Sequence, residues 1–124
     1  MQFRVLQLGL VDSTSERAFE ALARGEARHG DVFLARAQTH GRGRRGASWY
    51  SPEGEGLYAS IVLLPRAPIH PAALTVAAGL AVREALRALG LEQVELEWPN
   101  DVTSLGAKLG GILVETRGLD LERP

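Results

Sequence analysis

"QTHGRGRRGASWYSPEGEG", residues 38–56, decides how the chain is divided, because it can be neither helix nor strand. Five glycines and three arginines leave Trp49 and Tyr50 as its only large apolar side chains. Before it, "DVFLARA" (31–37) reads as a strand. After it, "LYASIVLLP" (57–65) reads as another, apolar enough to be central and ended by Pro65. A connection longer than about 12–15 residues without regular structure is uncommon and is usually functional or disordered. Glycine permits positive φ and close approach of backbone to a ligand. Arg42, Arg44 and Arg45 supply planar forks that suit phosphate and carboxylate oxygens. The stretch is therefore either a solvated basic loop or a lid for an anionic ligand. It is read neither as a Walker loop, since no lysine follows Gly46, nor as a dinucleotide-binding turn.

Working outward, "FRVLQL" (3–8) alternates like a half-buried strand. "DSTSE" (12–16) holds a Ser-x-x-Glu capping box, Ser13 to Glu16, which opens an amphipathic helix running to Arg24. Ala18, Phe19, Leu22 and Ala23 form its apolar face, and Gly25 stops it. Pro71 starts a second helix that reaches Leu89, with Gly90 beyond it. Its first half is apolar nearly all round, which predicts burial. "QVELEWP" (93–99) and "KLGGILVETR" (108–117) give two more strands. The expected fold is α+β, a single mixed β-sheet packed with helices, in one domain over residues 1–124.

Composition narrows the function classes. The 124 residues are 45% hydrophobic with a formal net charge of −1, so nothing global marks a nucleic-acid or membrane binder. There is no cysteine, which excludes disulfides and thiolate metal sites. The amino-terminal residues lack the apolar run of a signal peptide. The most apolar window, 72–82, is shorter than the roughly 20 residues a bilayer requires. The expected location is the cytoplasm. The basic residues are thirteen arginines and one lysine, Lys108. Where arginine has replaced lysine almost everywhere, a lysine that survives points to a compact ammonium that arginine cannot imitate.

Two further segments could carry chemistry. "EWPND" (97–101) leaves Asn100 and Asp101 at the carboxyl end of a strand, where α/β sheets bind ligands. The plainer alternative is a core tryptophan before an Asn-Asp turn. Lys108 follows Asp101 by seven residues, the spacing of a hairpin or short β-connection that brings both side chains to one sheet end. Ser13 and Thr14 are helix-capping hydroxyls by default. His29, His40 and His70 share no metal-like spacing. The inventory offers no obvious nucleophile or general base. That suits a reaction in which the substrate supplies the nucleophile and the protein positions charge, such as activation of a carboxylic acid by ATP. One well-aimed donor there is worth about 3–4 kcal/mol.

Taken together, "DSTSE", "QTHGRGRRGASWYSP", "GLYASIVLLP", "WPNDV" and "KLGGILVE" resemble the catalytic domain of bacterial biotin–protein ligases (biotin–[acetyl-CoA-carboxylase] ligases). The match covers residues 8 to 116, with the segments in the family's order. The resemblance implies a two-step reaction. Biotin and MgATP would give biotinyl-5′-AMP, and biotin would then pass to a lysine of a biotin carboxyl carrier protein. Lys108, Arg42 and Arg44 fall on catalytic positions. Ser13, Thr14, Ser15, Gln38, Gly41, Arg42, Gly43, Arg44, Lys108, Gly111 and Ile112 fall on biotin-binding ones. Arg42, Arg44, Arg45, Trp49, Asn100 and Asp101 fall on the nucleotide side, with Asp101 also a metal position for Mg2+. The loop would be a lid, disordered until its ligand arrives.

Three departures stand beside the match. Ser15 replaces an asparagine common in relatives. No helix-turn-helix precedes Phe3, so a repressor role is not expected. The family's Gly-x-Gly-x-Asn strand, further helices and small C-terminal β-barrel are missing, so the chain reads as a partial catalytic domain. A binding module that holds biotin or its adenylate without efficient turnover is the alternative. A lipoate–protein ligase and a nucleic-acid module follow behind. An uncovered sheet edge would invite a homodimer.

Overall fold

A computed structural model describes residues 2–117. Its element order begins with β1 (Arg4–Val11), α1 (Thr14–Ala23), β2 (Asp31–Gln38) and β3 (Tyr58–Ile61). It continues with α2 (Pro71–Ala88), β4 (Glu95–Glu97), β5 (Asp101–Ser104) and β6 (Ala107–Gly111). The α+β class expected from the sequence holds. The single sheet does not. The strands form two three-stranded sheets, β1-β2-β3 and β4-β5-β6, and the chain divides into two units, Met1–Arg66 and Ala67–Pro124.

In the first unit β1 and β2 run parallel and in register from Arg4 opposite Asp31 to Val11 opposite Gln38. A parallel pair needs a crossover, and α1 supplies it. Ser13 caps α1, its hydroxyl accepting the Glu16 N–H at 2.9 Å. The Ser13 N–H donates to Asp12 Oδ1 at 2.7 Å, and the Glu16 carboxylate meets Arg42. Gly25 ends the helix in the left-handed region (φ 71°), as glycine does at this position. Ala18, Phe33 and Val62 form the core, with Leu6, Leu8, Ala21, Leu22 and Ala27 packed against them.

β3 is shorter than the apolar run 57–65 and lies at the edge of this sheet, paired antiparallel to a central β2. Apolar content misplaced it, because Ile61 and Leu64 face outward, 55% and 48% exposed. Asp31 is the buried charge of the unit. It accepts Arg4 Nε at 2.9 Å, Arg4 Nη2 at 2.6 Å and the Arg28 N–H at 2.9 Å. The Arg4 guanidinium foremost holds the Asp31 carboxyl below the ordinary aspartate range, against the opposing effect of burial.

In the second unit α2 packs on β4 and β5. Gly79, its one buried residue, is the close point, because a Cβ there would lie 3.5 Å from Leu96 and 3.8 Å from Ile112. The predicted burial of the first half of α2 is not met among the described residues. Only a narrow stripe faces the short strands, and Leu80 stays 47% exposed. β5 lies inside a stretch read as a turn. It pairs with β4 on one side and β6 on the other. Leu105 and Gly106, both at positive φ (51° and 81°), form the two-residue β5–β6 turn. The strand expected over 108–117 is observed as Ala107–Gly111. Among the described residues no helix is long and apolar enough to cross a membrane.

Candidate functional site

The carboxyl ends of β1 and β2 and the N-terminus of α1 come together in the first unit. Ser13 and Thr14 are 2% and 3% exposed there. The Thr14 N–H donates to Gln38 Oε1 at 2.8 Å, which ties the end of β2 to the first turn of the helix. Thr14 Oγ1 lies 2.7 Å, and Ser15 Oγ 3.0 Å, from Ser60 Oγ on β3. Three hydroxyls, one carboxamide and the first turn of a helix thus share one corner. Such a corner accepts negative charge and polar heterocycles.

The glycine-rich stretch folds back over this corner. Gln38 bridges to Ser51 and Arg42 to Ser48 in antiparallel fashion, and a 3-10 turn spans Arg44–Gly46 with Arg45 left-handed (φ 57°). The Trp49 N–H donates to the Gly41 carbonyl at 2.8 Å, and the Gly43 N–H to the Ala47 carbonyl at 2.7 Å. Gly41 is buried where no side chain fits. A Cβ there would lie 2.5 Å from the Trp49 carbonyl, 2.7 Å from Ser51 Oγ and 2.9 Å from Gln38 Nε2. Arg42 pairs with Glu16 in the first turn of α1. At the far root, the buried Tyr58 hydroxyl donates to the Pro52 carbonyl at 2.8 Å. Burial pushes that phenol upward, which keeps it a donor. Backbone bridges and the Arg42–Glu16 pair tie the loop to itself and to α1.

The spacing Gly41, Gly43, Gly46 is literally Gly-x-Gly-x-x-Gly, yet the dinucleotide reading fails on structure. β3, not a helix, follows it, so no helix N-terminus stands ready for a pyrophosphate.

In the second unit Asp101 opens β5 and Lys108 lies on β6. Thr103 pairs with Lys108 across a bulge, so Lys108 shares a face with Asp101, two residues along β5. Lys108 Nζ is 3.1 Å from Asp101 Oδ1, with the two side chains 48% and 28% exposed. The expected convergence of these residues on one strand pair is met. The Asn100 carbonyl accepts the Ile112 N–H at 2.9 Å, and Asp101 pairs with Gly111. This holds the "WPND" turn, with its cis Trp98–Pro99 bond, against the "GGI" strand end. A shallow cavity of about 80 Å³ in this unit is lined by Thr75, Val76, Gly79, Leu96, Trp98 and Asn100, among others.

The structure thus gathers Ser13, Thr14, Ser15, Gln38, Gly41 and Arg42 in one unit, and Asn100, Asp101, Lys108, Gly111 and Ile112 in the other. Gly43, Arg44, Arg45 and Trp49 lie along the loop. Among the described residues no three of His, Cys, Asp and Glu gather to hold a metal; Glu97 is the carboxylate paired across the strands with Asp101. Sequence reasoning missed Ser51 and Ser60. Neither carries a local signal, because each earns its place by meeting residues 13 or more positions away.

Residues 8–121 match the Biotin/lipoate A/B protein ligase family, and the chain belongs to that family. It is 42% identical over 115 residues to the bifunctional ligase/repressor BirA of Salmonella typhimurium, covering 92% of this chain and 35% of that protein. It is 41% identical over 114 residues to the biotin–[acetyl-CoA-carboxylase] ligase of Paracoccus denitrificans, covering 90% and 46%. Among solved structures, the biotin protein ligase from Aquifex aeolicus in complex with biotin and ATP superposes with a TM-score of 0.82 at 38% identity. That likeness covers 93% of this chain and 47% of the other. The chain therefore spans between a third and half of the length of these relatives.

Proposed function

We propose that this chain is the biotin-activating part of an ATP-dependent biotin–protein ligase, with both units belonging to one catalytic domain. The biotin carboxylate attacks the α-phosphorus of ATP. A carboxylate O–P bond forms, the bond to pyrophosphate breaks, and biotinyl-5′-AMP results. In the second step the amine of a lysine on a biotin carboxyl carrier protein attacks the acyl carbon, AMP leaves, and the amine gives up a proton.

The chain's own residues bind and polarise. Ser13, Thr14, Ser15 and Gln38 hold the ureido ring, and the Gly41–Arg44 backbone covers it. Arg42 and Arg44 meet carboxylate and phosphate oxygens, Lys108 stabilises the reacting carboxylate, and Gly111 and Ile112 line the acyl chain. Arg45, Trp49, Asn100 and Asp101 serve the nucleotide. Magnesium neutralises the phosphates as part of MgATP. Self-association through an open sheet edge is included in the proposal and is read by sedimentation.

The observation that carries this reading is the closure of an arginine-bearing, glycine-rich loop onto buried hydroxyls and a carboxamide at a helix start. One corner then offers both ureido recognition and oxyanion neutralisation. The test is biotin-dependent ATP–pyrophosphate exchange by the purified chain, beside calorimetric biotin binding. Lys108→Arg is expected to abolish exchange while biotin affinity stays, because arginine keeps the charge and loses the slender reach. Full exchange in that variant overturns the role of Lys108. Biotin binding without exchange in the wild type identifies a binding module instead.

A further inference from the structure

Four polar contacts in the first unit run head to tail. The Ser51 hydroxyl donates to the Trp49 carbonyl at 3.0 Å. A carbonyl can only accept, so the one hydroxyl proton is committed there. Ser51 Oγ then receives an N–H from Gln38 Nε2 at 2.9 Å. Gln38 Oε1 in turn accepts the Thr14 N–H at 2.8 Å. At the other end, the Trp49 N–H holds the Gly41 carbonyl at 2.8 Å.

The chain of contacts has one sense. Rotating the Gln38 carboxamide by half a turn would set Nε2 against the Thr14 N–H, donor to donor. It would also set Oε1 against a hydroxyl whose proton is already used. Both bonds would be lost together. Ser51 is 3% exposed, so water cannot readily take its place. Gly41 completes the arrangement, since its missing Cβ leaves room for Ser51 Oγ and Gln38 Nε2 at once.

We infer that Ser51 is a positioning residue that fixes the donor–acceptor sense of the Gln38 carboxamide toward the ligand and couples that sense to the closed loop. With one lone pair of Oε1 and one hydrogen of Nε2 already engaged, Gln38 keeps one acceptor and one donor side by side. That edge complements a group presenting an N–H beside a C=O, as a cyclic urea does. The identity of the ligand rests on the function proposed above, whereas the locking of the carboxamide does not.

The experiment therefore has two arms, on Ser51→Ala and Ser51→Thr in the whole chain. The first follows hydrogen exchange of the Gln38 side-chain amide by NMR without ligand. Exchange is expected to speed up about tenfold in Ser51→Ala and to stay near wild type in Ser51→Thr, as loss of one buried hydrogen bond implies. The second compares calorimetric affinity for biotin and for 2-iminobiotin, in which the urea carbonyl is replaced by an imine. Ser51→Ala should narrow the preference between the two by about tenfold, and Ser51→Thr should restore it. A merely structural serine would weaken both ligands in parallel, and that result, or unchanged Gln38 exchange in Ser51→Ala, overturns the inference. If the wild type binds neither ligand, the biotin reading fails while the exchange arm still decides the role of Ser51.

Discussion

Gly41→Ala and Gly43→Ala differ by two positions in one loop, and the structure separates them sharply. An alanine Cβ at 41 would sit 2.5 Å from the Trp49 carbonyl oxygen. To regain ordinary contact that oxygen must retreat about 0.9 Å, which also draws Trp49 off the Gly41 carbonyl and Ser51. Overpacking of this kind costs about 1–3 kcal/mol, so the open loop should become roughly 5- to 150-fold more populated. At 43 the nearest atom to a new Cβ is the Ala47 Cβ at 3.5 Å, and the backbone is extended (φ −105°). Nothing there has to move.

Arg42, Arg44 and Arg45 make the loop a trypsin substrate only when it opens. Under conditions where opening is fast relative to cleavage, the cutting rate follows the open population. Gly41→Ala should be cut roughly 5- to 150-fold faster than wild type, and Gly43→Ala within about twofold of it. Equal rates for the two variants would refute the claim that the Trp49 carbonyl and Ser51 close on a residue without a side chain.

Other perturbations test the frame around the loop. Ser13→Ala removes the cap of α1 and should lower stability by about 1 kcal/mol, read as a lower urea midpoint with unchanged slope; no change would remove the capping role. Asp31 has a folded pKa below its unfolded value of about 3.9, so its contribution is present above that pH and is lost as pH falls through the folded value. Asp31→Asn should therefore be less stable near neutrality and show a flatter acid limb, with Asp12, also held low, supplying part of what remains; parallel curves for variant and wild type would contradict this. Glu16→Gln removes the partner of Arg42, a partly exposed pair worth about 0–1 kcal/mol, so tryptic cutting of the loop should rise by up to about fivefold at low salt. Added salt should bring the wild type toward the variant, and a salt-independent difference would assign the effect to packing.

The parts of the fold legible in the sequence were those encoded within a turn or two of chain. The Ser13 cap, the Gly25 stop and the alternation over β1 are local signals, and each appears where expected. β5 was hidden because its hairpin turn is Leu105–Gly106, not the Asn-Gly or Asp-Gly pair that announces such a turn. β3 looked central because its segment is apolar, although hydrophobicity alone does not record which neighbour a strand will find. The candidate site divides in the same way. Glycines, arginines and the lone lysine mark themselves by type, and the Asp101–Lys108 pairing follows from spacing. Ser51 and Ser60 are unremarkable serines until the fold delivers them to Gln38 and Thr14, 13 and 46 positions away. Glu16 shows a further limit. Its position in a capping box accounts for the helix start, but its carboxylate is drawn to an arginine 26 residues on.

The survival of one lysine among thirteen arginines gains a physical reason from the second unit. Lys108 and Asp101 are joined at 3.1 Å with both side chains partly in solvent. A single ammonium against one carboxylate oxygen in that setting is worth about 0–1 kcal/mol. A guanidinium could grip both oxygens of the same carboxylate and would be harder to detach. In the proposed reaction the cation has to leave Asp101 for an oxygen whose charge grows as the carboxylate attacks phosphorus. In that proposal a rotatable ammonium gives up one carboxylate oxygen more readily than a two-pronged guanidinium would, which favours lysine at this position. Arg42 meets the opposite requirement. Its resting partner Glu16 stands in the first turn of α1, so the arginine helps hold the loop shut, and there a stronger, better-oriented grip is the advantage.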